Sequence, residues 1–166
     1  MNEDLKTDAT VSEALEPTET PVAIKPTLEQ KREATLKEIQ DIAAKVSAGD
    51  MRVVPITVIL DEGSEFEEKT TVLFKVPSLS TENAIGARAA LIAATENNSG
   101  LDLDSMPQWE TQLVRARATF EILLEGECPN WCPINKAGRP DTSGLLSPLR
   151  IMAIYNKWVE IQTRFR

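Results

Sequence analysis

Two cysteines, Cys128 and Cys132, share the short stretch EGECPNWCPINKAGRPD (125–141) with Trp131 and with Pro129, Pro133 and Pro140. Paired thiols could hold a metal or cycle through a disulfide. A structural zinc wants four ligands, and the chain offers only these two cysteines and no histidine. The C-x3-C spacing also differs from the C-x-x-C pair at a helix N-terminus that depresses a thiol pKa. The expected role is therefore modest: two small hydrophobes packing a connector. Three prolines fix φ along it and lower the entropy cost of holding one path. Trp131 is expected to pin the loop onto the rest of the protein, with a partner contact as the alternative.

The acidic run DEGSEFEE carries Asp61, Glu62, Glu65, Glu67 and Glu68. It lacks the D-x-D-x-D-G spacing and the distant bidentate glutamate of a calcium loop, so it reads as a solvated hairpin tip. Without histidine there is no imidazole base and no Ser-His or Cys-His nucleophile pair. No phosphate-cradling G-x-x-x-x-G-K-[ST] and no G-x-S-x-G nucleophile turn occurs. Arg115 and Arg117 fall on different sides of a helix, and the net charge is -8. That balance does not suit a phosphate backbone, so no nucleic-acid partner is expected. No apolar run approaches a membrane span, and the acidic start of the chain has no apolar signal core. A soluble, intracellular, non-catalytic binding protein without a cofactor, its thiols reduced, is expected.

The elements that would carry such binding follow from periodicity. Residues 1–27 are rich in Thr, Glu and Pro, and six acids against two lysines lie before Thr27. They read as a disordered acidic tail. Thr27 and Gln30 form a capping-box pair ahead of an amphipathic helix over 28–49, striped by Leu36, Ile39, Ala43 and Val46 and stopped at Gly49. That narrow stripe suits packing on the domain or pairing with another chain. RVVPITVIL and KTTVLFKV flank the acidic run as the strands of a hairpin, with Pro55 marking an edge or a bulge. STENAIGARAALIAATENNSG reads as a helix apolar on most faces, hence buried centrally, closing at Asn97–Gly100. SMPQWETQLVRARATFEILLEG reads as a helix capped by Ser105, with Pro107 in its first turn and an inner stripe of Leu113, Ala116, Phe120 and Leu123 or Leu124. SGLLSPLRIMAIYNKWVEIQTRFR has two adjacent apolar faces. One carries Leu149, Met152, Tyr155, Val159 and Phe165, the other Ile151, Ile154, Trp158 and Ile161. The fold class is α+β, mainly α: a β-hairpin leading into a three-helix unit over 51–166, with an extra helix and tail in front.

The order of these parts, with FKVPSLS, IGARAALIAA, LVRARATFEILLEG, the CPNWC loop, GRPDTSG and the closing IMAIYNKWVEIQTRFR, resembles the tail assembly chaperones of long-tailed bacteriophages. The resemblance covers about residues 52–166 and leaves out the N-terminal helix and tail. The cysteines around Trp131 depart from the pattern, which tends to show further aromatics there. The resemblance implies a small non-catalytic protein of the host cytoplasm, made during infection and absent from the finished particle. It would bind the tape measure protein, keep its apolar helices soluble and help recruit tail tube protein. Members are often made also in a longer frameshifted form, and a chain ending at Phe165-Arg166 fits the shorter one.

A helix with two apolar faces has one for the domain and one for a partner. The residues expected at that partner contact are Trp131, Tyr155, Trp158, Ile161 and Phe165, so that Trp158→Ala would weaken partner binding without unfolding the domain. The hairpin edge can hold an extended partner segment, and self-association is a further expectation. The rival reading is a virion structural protein, such as a minor tail or head-tail joining component.

Overall fold

Thr27 and Gln30 close the capping box anticipated for them. The Thr27 hydroxyl accepts the Gln30 N–H at 3.3 Å, and the Gln30 side chain accepts the Thr27 N–H at 2.9 Å. In the computed structural model of the chain, residues 27–96, 103–144 and 147–165 are described. The expected tail before Thr27 and the helix stop at Asn97–Gly100 lie outside the described residues. From the box, helix α1 runs Leu28–Ser47, and Gly49, at φ 79°, turns the chain out of it. Ile39, Ile42 and Ala43 face inward. Leu36 stays 41% exposed, so the packed stripe is rotated from the one the spacing predicts.

Strands β1 (Val53–Leu60) and β2 (Glu68–Lys75) form the antiparallel hairpin, and Pro55 stands opposite Leu73. The Val76 N–H donates to the Arg52 carbonyl at 2.8 Å. Bonded and non-bonded pairs alternate in an antiparallel ladder, so Val54 and Ile56 exchange bonds with β2 while the Pro55 nitrogen faces outward. β1 is an edge strand in the order β1-β2-β3, so the proline costs no ladder bond and shortens the free edge. The register is continuous, and no bulge is needed. A third strand, β3 (Leu124–Glu125), pairs with Leu73 and Phe74. The sequence reading missed it because two residues leave no period. Across the open face of the sheet the Thr57 and Thr71 hydroxyls lie 2.9 Å apart in a hydrogen bond.

Helices α2 (Leu79–Glu96), α3 (Gln108–Leu123) and α4 (Pro148–Phe165) complete an α+β fold that is mainly helical. α4 packs on β1, on α3 and on α1, while α2 leans chiefly on α3. α4, not α2, is the central helix. The expectation for α2 is corrected: among its described side chains only Ala89, Ile92 and Ala93 are buried, and Leu91 is 51% exposed. A run of alanines exposes little apolar area per residue, so it tolerates the periphery. In α3, Ala116, Phe120 and Leu123 point into the core as expected, whereas Val114 takes the buried place expected for Leu113. Pro107, not Ser105, is its N-cap, and no side chain caps it.

The main core joins Ile39 and Ile42 of α1, Val54, Ile56, Val72 and Phe74 of the sheet, Phe120 and Leu123 of α3, and the Ile151, Ile154, Trp158, Ile161 face of α4. A smaller cluster of Ala89, Ile92, Ala93, Met106, Val114 and Ala118 fastens α2 to α3. No helix among the described residues is long and apolar enough to cross a membrane.

Candidate functional site: a groove between two helices

α2 and α4 flank α3 and leave a groove above it. One stretch of the groove is lined by Ile85, Gly86 and Ala89 of α2, Arg115 and Thr119 of α3, and Tyr155, Trp158 and Gln162 of α4. A second stretch continues toward the start of α3, past Met106, Thr111, Gln112 and Val159. The two meet at Leu103, Arg115 and Tyr155, which line both. The α3 floor from Gln108 to Thr119 is about 16 Å long at the helical rise, about three turns. The walls are mixed: Ile85, Ala89, Leu103, Met106 and Val159 are apolar, while Gln108, Gln112, Asn156 and Gln162 add amides. The charged side chains that line it are Asp104, Glu82 and, at the junction, Arg115. Arg115 is exposed and makes no ion pair with a described residue. Burial pushes the Tyr155 phenol upward and the nearby Arg115 cation opposes this, so Tyr155 is a neutral hydroxyl at physiological pH.

Of the five residues expected at a partner contact, the structure brings Tyr155 and one edge of Trp158 to this groove. Trp158 is only 1% exposed and belongs to the core, as does Ile161, also at 1%. Those two expectations are corrected. The inner face of α4 is the Ile151, Ile154, Trp158, Ile161 face, and its side chains are spent on the domain. Phe165 is half-buried on Trp158, ring centres 5.9 Å apart. Trp131 stands well away, half-buried in the connector, its ring 5.9 Å from Phe120 and under the guanidinium of Arg150 at 5.9 Å. Its buried indole N–H has no described acceptor, so packing and the cation hold it.

The acidic hairpin tip closes on the same arginine. Arg150 pairs with Asp61 at 2.6 Å and Glu68 at 3.7 Å, and the Glu67 carboxylate accepts the Gly63 N–H at 2.9 Å. Three of the five acids thus serve the turn or its anchor.

The cysteines hold their loop. The Cys132 N–H donates to the Pro129 carbonyl at 2.9 Å, and the Cys128 thiol points to the Cys132 carbonyl at 3.7 Å. Burial raises both thiol pKa values, that of Cys132 to about 12. Thiols so placed are poor nucleophiles. Among the described residues no group of three or more Cys, Asp or Glu is placed to hold a metal. A mass-spectrometric time course with iodoacetamide at pH 8 should find Cys132 unmodified in the folded protein and both thiols alkylated in denaturant. Fast labelling of folded Cys132 would show an activated thiol instead.

The groove residues Ile85, Ala89, Leu103, Arg115 and Thr119 had no sequence signature as a set, because they come from three separate segments. Only the run of small residues in α2 hinted that something approaches that helix closely. No family model matches the chain, and neither does any curated protein or solved structure.

Proposed function

We propose that the protein is a non-catalytic chaperone that binds apolar helices of a partner, acting in phage tail assembly in the host cytoplasm with the tape measure protein as client and tail tube protein as the next component recruited. The observation that carries this reading is the groove over α3: a trough about three helical turns long, with apolar side chains from both flanking helices, on a protein of net charge -8. Amphipathic helices are recognised by such troughs through side chains at i, i+3, i+4 and i+7. The acidic surface keeps the complex with a sticky client in solution. The resemblance to tail assembly chaperones supplies the client's identity and the setting.

The test is co-expression. With the tape measure protein of the same phage, the chain should move that protein from the insoluble to the soluble fraction and co-purify with it. It should also be missing from purified particles. A tape measure protein that stays insoluble, with this chain at fixed copy number in particles, would make it a structural component.

A further inference from the structure

We propose that the groove over α3 takes a helix of about three turns that carries a carboxylate in the middle of its apolar stripe, set against Arg115 and Tyr155. This deepens the chaperone reading and rests on it.

Charge complementarity selects this occupant. The protein carries 26 acidic side chains against 18 basic ones, yet the midpoint of this groove bears an arginine without an ion-pair partner among the described residues. Tyr155 stands beside that arginine, so two donors converge where both stretches of the groove meet. An incoming helix desolvates this point. A wholly apolar occupant would cover an arginine and leave it unanswered, a costly arrangement. A carboxylate answers both donors with charge-assisted bonds. Away from Arg115 the α2 wall asks for small or aliphatic side chains. Ala89 and Gly86 admit a close helix backbone on the α2 side, and Leu103, Ile85 and Val159 provide apolar contact.

The pattern is therefore apolar, acidic, apolar along one face of a helix. It specifies a class of client segment and also a register, since the carboxylate fixes which turn sits at Arg115.

Gly86 supplies the discriminating variant. It lines the groove, and a Cβ built there meets nothing within 4 Å. A glycine inside a helix costs stability relative to residues with side chains, so Gly86→Leu should fold at least as well as wild type while filling the trough. The probe is a fluorescein-labelled peptide of about sixteen residues, Leu and Ala on one face, a central Glu in that stripe and lysines at the ends, long enough for three bound turns. Its twin carries Gln for Glu. Fluorescence anisotropy with the full chain should show the Glu peptide binding at least about tenfold more tightly than the twin, the size expected of a charge-assisted hydrogen bond. Arg115→Gln should abolish the difference, and Gly86→Leu should abolish binding of both.

Equal binding of the twins, binding that survives Gly86→Leu, or no binding at all would overturn the inference. So would a dimer of the free chain that Gly86→Leu dissociates, since the groove would then hold a second copy. The chaperone reading fails separately: if wild type does not solubilise the tape measure protein, that reading falls. If Gly86→Leu solubilises it as well as wild type, the reading stands and the groove assignment falls.

Discussion

Trp158→Ala should destabilise the folded protein by about 3–5 kcal/mol, the range for removing a large aromatic from a core. Trp158 is 1% exposed and packs edge-on against Phe74, ring centres 5.7 Å apart. Phe74 in turn meets Phe120 at 6.0 Å, Phe120 meets Trp131 at 5.9 Å, and Phe165 lies on Trp158 at 5.9 Å. These contacts run unbroken from the connector, through α3 and β2, to the last turn of α4. Three tryptophans, one tyrosine and four phenylalanines are all the aromatics the chain has, and five of them stand in this one line. Removing its fourth member opens a cavity bounded by α4, the sheet and the groove floor. A domain of this size has about 5–15 kcal/mol in all, so urea denaturation should show a large drop in midpoint or loss of the transition. Trp158→Phe keeps a ring against Phe74 and should cost less than half as much. If Trp158→Ala unfolds near the wild-type midpoint, the ring does not hold the core together and the original expectation of a partner contact returns.

That correction shows what the sequence carries and what it does not. Features fixed within one turn of chain were legible: the Thr27–Gln30 box, the Gly49 exit, the hairpin with its edge proline, and the helical segments. The caps and helices depend on neighbours three or four residues away, and the hairpin on two alternating runs joined by one short turn. The two apolar faces of α4 were legible as well. Which face turned inward was not, because both are apolar and the choice is made by α1, α3 and β1 together. The face with Ile151, Ile154, Trp158 and Ile161 fills the core, and the face with Leu149, Met152, Tyr155 and Val159 is left exposed or half-buried. Alanine misled in α2 for a related reason: it is apolar enough to look buried and small enough to be exposed at little cost. The groove is the least legible feature. It is a gap between α2 and α4, produced by how far each leans on α3, and no local pattern encodes a gap.

Glu121→Ala should have the second large effect, and it should act on one wall of that groove. The Glu121 carboxylate, 10% exposed, pairs with the Arg88 Nε of α2 at 2.6 Å and accepts the hydroxyl of Thr142, itself 3% exposed. The Thr142 oxygen accepts from the Arg117 Nε at 2.9 Å. One α3 carboxylate therefore ties α2 to α3 and both to the turn that precedes α4. Removing it leaves a buried hydroxyl without its acceptor and takes one carboxylate away from the half-buried Arg88 guanidinium. The expected loss is about 1–3 kcal/mol, the scale for leaving a buried group without its hydrogen-bond partner, with the pair to Arg88 adding little at 33% exposure. The apolar contacts that remain between α2 and α3 are small: alanines, Ile92, Val114 and Met106. The loss should therefore be local before it is global. Hydrogen exchange should show the amides around Ala89 and Ile92 opening much faster in Glu121→Ala, while those around Ile154 and Trp158 keep most of their protection. Glu121→Gln retains an acceptor for Thr142 and should fall between wild type and alanine. With α2 loosened, the carboxylate-bearing peptide should bind more weakly although no groove-lining side chain has changed. If protection falls equally in α2 and α4, α2 is not a separately anchored wall, and the groove opens only when the whole domain does.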